Sequence, residues 1–152
     1  MQPTFLFDAH CHPDPDSATA PVRSESPVKS RLLCGTNPAD WKIIARITPD
    51  WPGTRPAFGL HPWHIADAGD DWLAGLENRL AAFPASWLGE AGLDFLKAGL
   101  ASVERQREVF VAQLRLAERK GRAVNLHCVK AWEALVEGRD AAYLCGRGAP
   151  VL

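Results

Sequence analysis

Apolar positions along the chain fall into two alternating rhythms, short apolar runs suited to strands and longer stretches at helical spacing. Residues 5–12 form the first run. In an extended strand Phe7, Ala9 and Cys11 line one face, while Asp8, His10 and His12 share the other. Residues 13–30, rich in Pro, Ser and Asp, read as a long loop leaving directly from those histidines. Residues 31–36 suit a second strand. Asn37-Pro38 then supplies an N-cap and a first-turn proline for a helix to Ile47, with Trp41, Ile44 and Ala45 on its buried face. A third strand is expected over 56–62, where Ala57, Gly59 and His61 share a face. The pair Asp70-Asp71 is expected to cap a helix carrying Leu73, Leu76, Leu80 and Phe83, stopped by Pro84. Residues 87–94 predict a fourth strand running into a glycine-flanked turn. Residues 102–120 give the clearest helix, with Val103, Phe110, Leu114 and Ala117 along one side and Gly121 past its end. Residues 123–128 predict a fifth strand with Asn125 and His127 on one face. Residues 131–144 predict a helix interrupted at Gly138, and 146–152 a turn and the start of another strand.

Five strand and helix alternations argue for a parallel α/β sheet with helical crossovers. Ligands gather at the carboxyl ends of such strands. His10, His12, His61, Glu90 and His127 all fall at or near those ends. Two imidazoles projecting from one strand face can hold a metal ion between ring nitrogens. Glu90, alone in an apolar run, needs a cation or a proton. Singly, each of these residues also reads as a hydrogen-bonded core group; together they point to a metal site.

The chain has 152 residues, 47% hydrophobic and 23% charged, which suits one soluble globular domain over 1–152. A formal net charge of −1 excludes a broad positive field for a nucleic-acid backbone, so any phosphate recognition must be local. No run is long and apolar enough to cross a membrane, and no stretch reads as a secretion signal. The expectation is a cytoplasmic protein without membrane contact. Cys11, Cys34, Cys128 and Cys145 form no Cys-x-x-Cys pair and read as reduced, partly buried thiols.

Asp8-Ala9-His10-Cys11-His12, Gly59-Leu60-His61-Pro62, Gly89-Glu90-Ala91-Gly92-Leu93-Asp94, and Gln106 to Phe110 leading to Asn125-Leu126-His127 resemble, in order, the motifs of the TatD-like metal-dependent hydrolases. The resemblance implies an α/β fold of the TIM-type (β/α) barrel. The chain would hold about five N-terminal β/α units of the eight, since a full barrel takes about 250 residues. It also implies hydrolysis of phosphodiester bonds, with DNA the usual substrate of this deoxyribonuclease-like family. By the same resemblance His10, His12 and Glu90 are ligands of one divalent ion (zinc, magnesium or manganese). Glu90 is also catalytic and bridges to a second ion held by His127. His61 and Asp94, with His64 or Lys130, are expected around the substrate phosphate. A complete family member holds two ions; a histidine ending the sixth strand and a later aspartate are not present among these residues. The expectation is at most one well-bound ion and little hydrolysis by this polypeptide alone. An open sheet edge is expected where further strands would pair, inviting self-association or a complementing chain.

Two other readings stay open. Another His-x-His barrel hydrolase of the amidohydrolase kind would typically place a metal-bridging lysine where this sequence has Glu90. An inactive half-barrel acting as a scaffold or fragment fits the missing ligands. A metal-free nucleic-acid binder fits poorly with the near-neutral charge.

Overall fold

The computed structural model describes residues 5–13 and 27–143. Its elements run β1 Leu6–Cys11, β2 Val28–Cys34, α1 Pro38–Ile47, β3 Thr54–Phe58, α2 Trp72–Ala82, β4 Trp87–Asp94, α3 Val103–Lys120, β5 Val124–Val129 and α4 Trp132–Tyr143. The strands form one sheet in the order β1-β2-β3-β4-β5, and every neighbouring pair is parallel. Sequential order with helical crossovers is the topology of a (β/α) barrel arc. All five expected strands are present, and β2 to β5 are each followed by a helix; the connection from β1 to β2 runs largely outside the described residues.

Local chemistry sets the helix ends. The Asn37 side chain accepts the N–H groups of Ala39 and Asp40, and Pro38 takes the first turn of α1. Ser102 caps α3 by accepting the Arg105 N–H, and Gly121 ends it in the left-handed conformation at φ 61. Asp71 precedes α2 but makes no capping bond, so the expected acidic cap is a boundary without a side-chain partner.

Alternation along the strands separates two layers. Leu33, Phe58, Leu88 and Leu93 face the helices and pack with Trp41, Ile44, Leu76, Leu80, Phe110 and Leu114. A smaller cluster of Leu32, Cys34 and Ala57 lies apart from that core.

Several expectations shift. β2 starts at Val28, inside the span read as loop, because Val28 pairs with Leu6 and extends the ladder; the rest of that loop, 14–26, lies outside the described residues. Ile47, not Ala45, completes the buried face of α1, the apolar spacing being three and three. β3 ends at Phe58, and Gly59–His61 continues as an ordered connection in which the His61 N–H bonds to the Thr36 carbonyl. β4 continues through Asp94 instead of turning at its glycines. α4 runs unbroken through Gly138, which sits against Phe110: a Cβ there would meet the ring at 3.0 Å. Close helix packing, not a break, explains that glycine. Cys145 and the expected turn over 146–152 lie outside the described residues.

Among the described residues β1 and β5 each pair on one side only. Phe5, Leu6 and Phe7 at the β1 edge are 66%, 48% and 52% exposed, which leaves an apolar edge open. Among them too, no helix is long and apolar enough to cross a membrane.

Candidate metal centre

Glu90 is the hub of a cluster gathered from β1, β4, β5 and the segment after β3. Gly89 and Gly92 let β4 run close to β5. A Cβ on Gly92 would fall 1.8 Å from the His127 carbonyl oxygen, and one on Gly89 2.7 Å from that of Asn125. Side chains are excluded there. Glu90 and His127 therefore meet, with Oε1 2.9 Å from Nδ1. The other carboxylate oxygen, Oε2, lies 3.4 Å from His10 Nε2 and 3.5 Å from His12 Nε2. Those two nitrogens are 3.1 Å apart.

Strict alternation does not by itself produce this convergence, because the β1–β2 register shifts between Asp8 and Cys11. Asp8 Oδ1 accepts the His10 N–H at the irregularity. Both rings are then held from behind. His10 Nδ1 lies 3.2 Å from Asn125 Oδ1, and His12 Nδ1 lies 3.0 Å from the Cys34 carbonyl oxygen. Those oxygens only accept, so each Nδ1 carries the proton and each Nε2 presents a lone pair. Two lone pairs and a carboxylate oxygen so close together repel one another unless a cation stands among them. The set of two imidazole nitrogens and one carboxylate fits a divalent ion.

His61, Glu90 and His127 form a second group of suitable spacing. Chemistry makes this one weaker. His61 Nδ1 accepts the Trp63 backbone N–H at 3.2 Å, which leaves the ring proton on Nε2, 3.8 Å from Glu90 Oε1. A protonated nitrogen offers no pair to a metal. Burial, helped by His127, presses the His61 pKa down to about 4, so the ring is a neutral N–H donor. Burial pushes the Glu90 carboxyl up, but the His127 hydrogen bond and the electrostatic influence of the surrounding imidazoles outweigh it and hold it below its ordinary value. The bond to Glu90 raises the His127 pKa against the opposing effect of burial.

Asp94, expected beside the substrate phosphate, is buried, as are His61 and Glu90. Its Oδ2 accepts Trp63 Nε1–H at 2.6 Å and lies 3.4 Å from His127 Nε2, while Oδ1 accepts the Lys97 N–H at 3.0 Å. It braces His127 and Trp63 from below, being the last inward residue of β4. His10, His12, His61, His64, Glu90 and His127 line a cleft of about 370 Å³. Lys130 lies elsewhere, with Phe95 and Trp132 at a separate cleft.

The supporting side chains belong to no motif. Asn125, expected on the same strand face as His127, also supports His10. Buried Gln113 accepts the Leu60 N–H at 2.8 Å and donates to the Leu60 carbonyl at 3.0 Å. Gln106 does the same for the Asp94 backbone, at 2.8 and 3.1 Å. Two glutamines seven positions apart on the apolar face of α3 were the available signal.

The sequence model of the family described as TatD related DNase matches residues 7–143. The Cut9-interacting protein scn1 of Schizosaccharomyces pombe is 26% identical, with 95% of this chain and 61% of that protein covered. A protein of Pantoea vagans named 3'-5' ssDNA/RNA exonuclease TatD is 35% identical over 68% of this chain and 40% of its own length. The crystal structure of YJJV, a TatD homologue from Escherichia coli K12, superposes with a TM-score of 0.78 at 27% identity, covering 90% of this chain and 55% of that one. This chain thus spans 40% to 61% of the lengths of these relatives. The family match extends from the first strand to the last described helix, and with the shared barrel arc it establishes that the chain belongs to the TatD-related DNase family.

Proposed function

We propose that this chain is a metal-dependent hydrolase of phosphodiester bonds, with DNA the substrate. The observation that carries the reading is the convergence of His10 Nε2, His12 Nε2 and Glu90 Oε2, with both histidine tautomers fixed by acceptors at Nδ1. His10, His12 and Glu90 are the ligands of one divalent ion of the zinc, magnesium or manganese class. Glu90 Oε1 and the His127 ring would hold part of a second site once an ion displaces the proton that Nδ1 gives to Glu90. An ion held there would supply Lewis acidity and make a water more acidic. Glu90, kept ionised, is the catalytic carboxylate and the only group facing both sides of the cluster. His61 is the substrate-binding donor, a residue of the cleft lining whose Nε2–H lies 3.8 Å from Glu90 Oε1. Asp94 is a positioning residue for His127. In this reading residues 1–152 act as one unit, located in the cytoplasm; the free thiols of Cys11, Cys34 and Cys128 support that location. Further strands, from a second copy or a complementing chain, pair at the open edges; the exposed Phe5, Leu6 and Phe7 support this part.

The test is hydrolysis of single-stranded DNA by the purified chain with manganese, beside a His12→Ala/Glu90→Ala variant. Activity lost in the variant supports the reading; equal rates, or none in either, count against an active enzyme. The second reading, a half-barrel that binds rather than cleaves, draws on one relative named for interaction with Cut9.

A further inference from the structure

Trp63 is a large aromatic side chain held rigidly at the rim of the cleft. It is 38% exposed, yet its Nε1–H is fixed on the buried Asp94 carboxylate at 2.6 Å. Its ring meets His61 edge to face at a centroid distance of 5.0 Å. His61 in turn packs 4.1 Å from His127, so the indole is tied to the donor cluster by direct ring contacts. The other partner of the indole is Lys97, whose Nζ stands 3.7 Å from the ring centroid. An exposed lysine on a flexible stem is readily displaced. Among the described residues an indole face is therefore presented beside the cleft with the Lys97 ammonium over it.

Such a face suits one ligand chemistry. Planar bases stack on exposed indoles in a sequence-tolerant way, and each stack contributes appreciable affinity. A metal and phosphate site alone does not require a rigid indole.

We propose that Trp63 is a stacking platform for the nucleobase next to the phosphate, the base taking the place of the Lys97 ammonium on the indole. The ligand class is then a nucleotide rather than a simple phosphoester, and Lys97, once displaced, keeps its charge beside the phosphate. This rests on the phosphodiester reading above, which it narrows.

Two probes that contain no diester separate the base from the phosphate: 2′-deoxyadenosine 5′-monophosphate and 2-deoxyribose 5-phosphate. Their affinities are measured by calorimetry with and without manganese, on the wild-type chain and on Trp63→Leu and Trp63→Phe. The wild-type chain is expected to favour the nucleotide about tenfold. Trp63→Leu brings that ratio close to one. Trp63→Phe, which keeps an aromatic face but loses the N–H to Asp94, retains a several-fold preference. A wild-type ratio near one, an unchanged ratio in Trp63→Leu, or a Trp63→Phe ratio as low as that of Trp63→Leu overturns the proposal. A Trp63-dependent preference that is indifferent to manganese upholds the base platform while counting against the hydrolytic reading. Binding of neither probe counts against both.

Discussion

Asn125 Oδ1 lies 3.2 Å from His10 Nδ1, although the two residues belong to β5 and β1, the opposite edges of a five-stranded sheet. Four strand spacings laid flat would separate those edges by about 19 Å. The contact exists because the sheet curls into an arc, and the arc brings the ligand face of β1 over β5. Folding and site assembly are thus one event: the curl supplies the acceptor that sets the His10 tautomer.

Asn125→Ala removes that acceptor without touching a proposed ligand. Divalent-metal affinity is expected to fall about 10- to 100-fold, the usual cost of losing such a supporting bond. Asn125→Asp, which keeps an acceptor, retains most of it. Calorimetric titration with manganese or zinc reads the difference, and an unchanged affinity in Asn125→Ala would show that the tautomer is set by other means.

His61 shapes the acid stability of the metal-free protein. With a folded pKa of about 4 against an ordinary 6.5, the unfolded chain binds more protons between those values. Stability therefore falls as pH drops from 6.5 to 4, by on the order of 2 kcal/mol from this group. Glu90, whose pKa is lowered, adds stability above its ordinary value that is lost as pH falls through the folded value. His127 acts oppositely, its raised pKa giving stability below 6.5 that is lost as pH rises through the folded value. Melting temperatures in EDTA from pH 4 to 8 should peak near 6.5. His61→Asn should flatten the acid limb, and an identical limb in that variant would refute the assignment.

Gln113→Leu strands the buried N–H and carbonyl of Leu60, the residue before His61. Each unsatisfied group costs about 1–3 kcal/mol, so a loss of about 2–4 kcal/mol is expected in urea unfolding. A loss under about 0.5 kcal/mol would mean that this backbone finds other partners.

Gly92→Ala places a methyl group against the His127 carbonyl at a residue with φ 157. Separation of β4 from β5 follows, so both the melting temperature and metal affinity should fall. A variant with wild-type values of both would contradict the close-approach argument.

The strands and helices were legible because their periodicities differ and because Asn37, Ser102 and Gly121 punctuate them. The order of the site residues along the sheet was legible for the same reason: strand ends in a parallel sheet share one rim. Other features were not. The start of β2 depends on a pairing partner in β1, which local composition does not reveal. Gly138 looks like a helix breaker in sequence and is a contact point in the fold. Asp94 carries the same charge as Glu90 four residues away, yet one carboxylate faces the cleft and the other lies beneath it. That difference depends on Trp63, 31 residues away in sequence, together with the Lys97 N–H and His127 on the neighbouring strand. The tautomers of His10 and His12 depend on Asn125 and a Cys34 carbonyl that no motif announces.

The most direct measurement is the metal stoichiometry of the purified chain, by elemental analysis after dialysis against zinc or manganese and by calorimetry. One tightly held ion per chain is expected, with a rise in melting temperature on binding and loss of both in His12→Ala and Glu90→Ala. No bound ion, or an ion retained in those variants, would contradict the claim that His10, His12 and Glu90 form the metal centre.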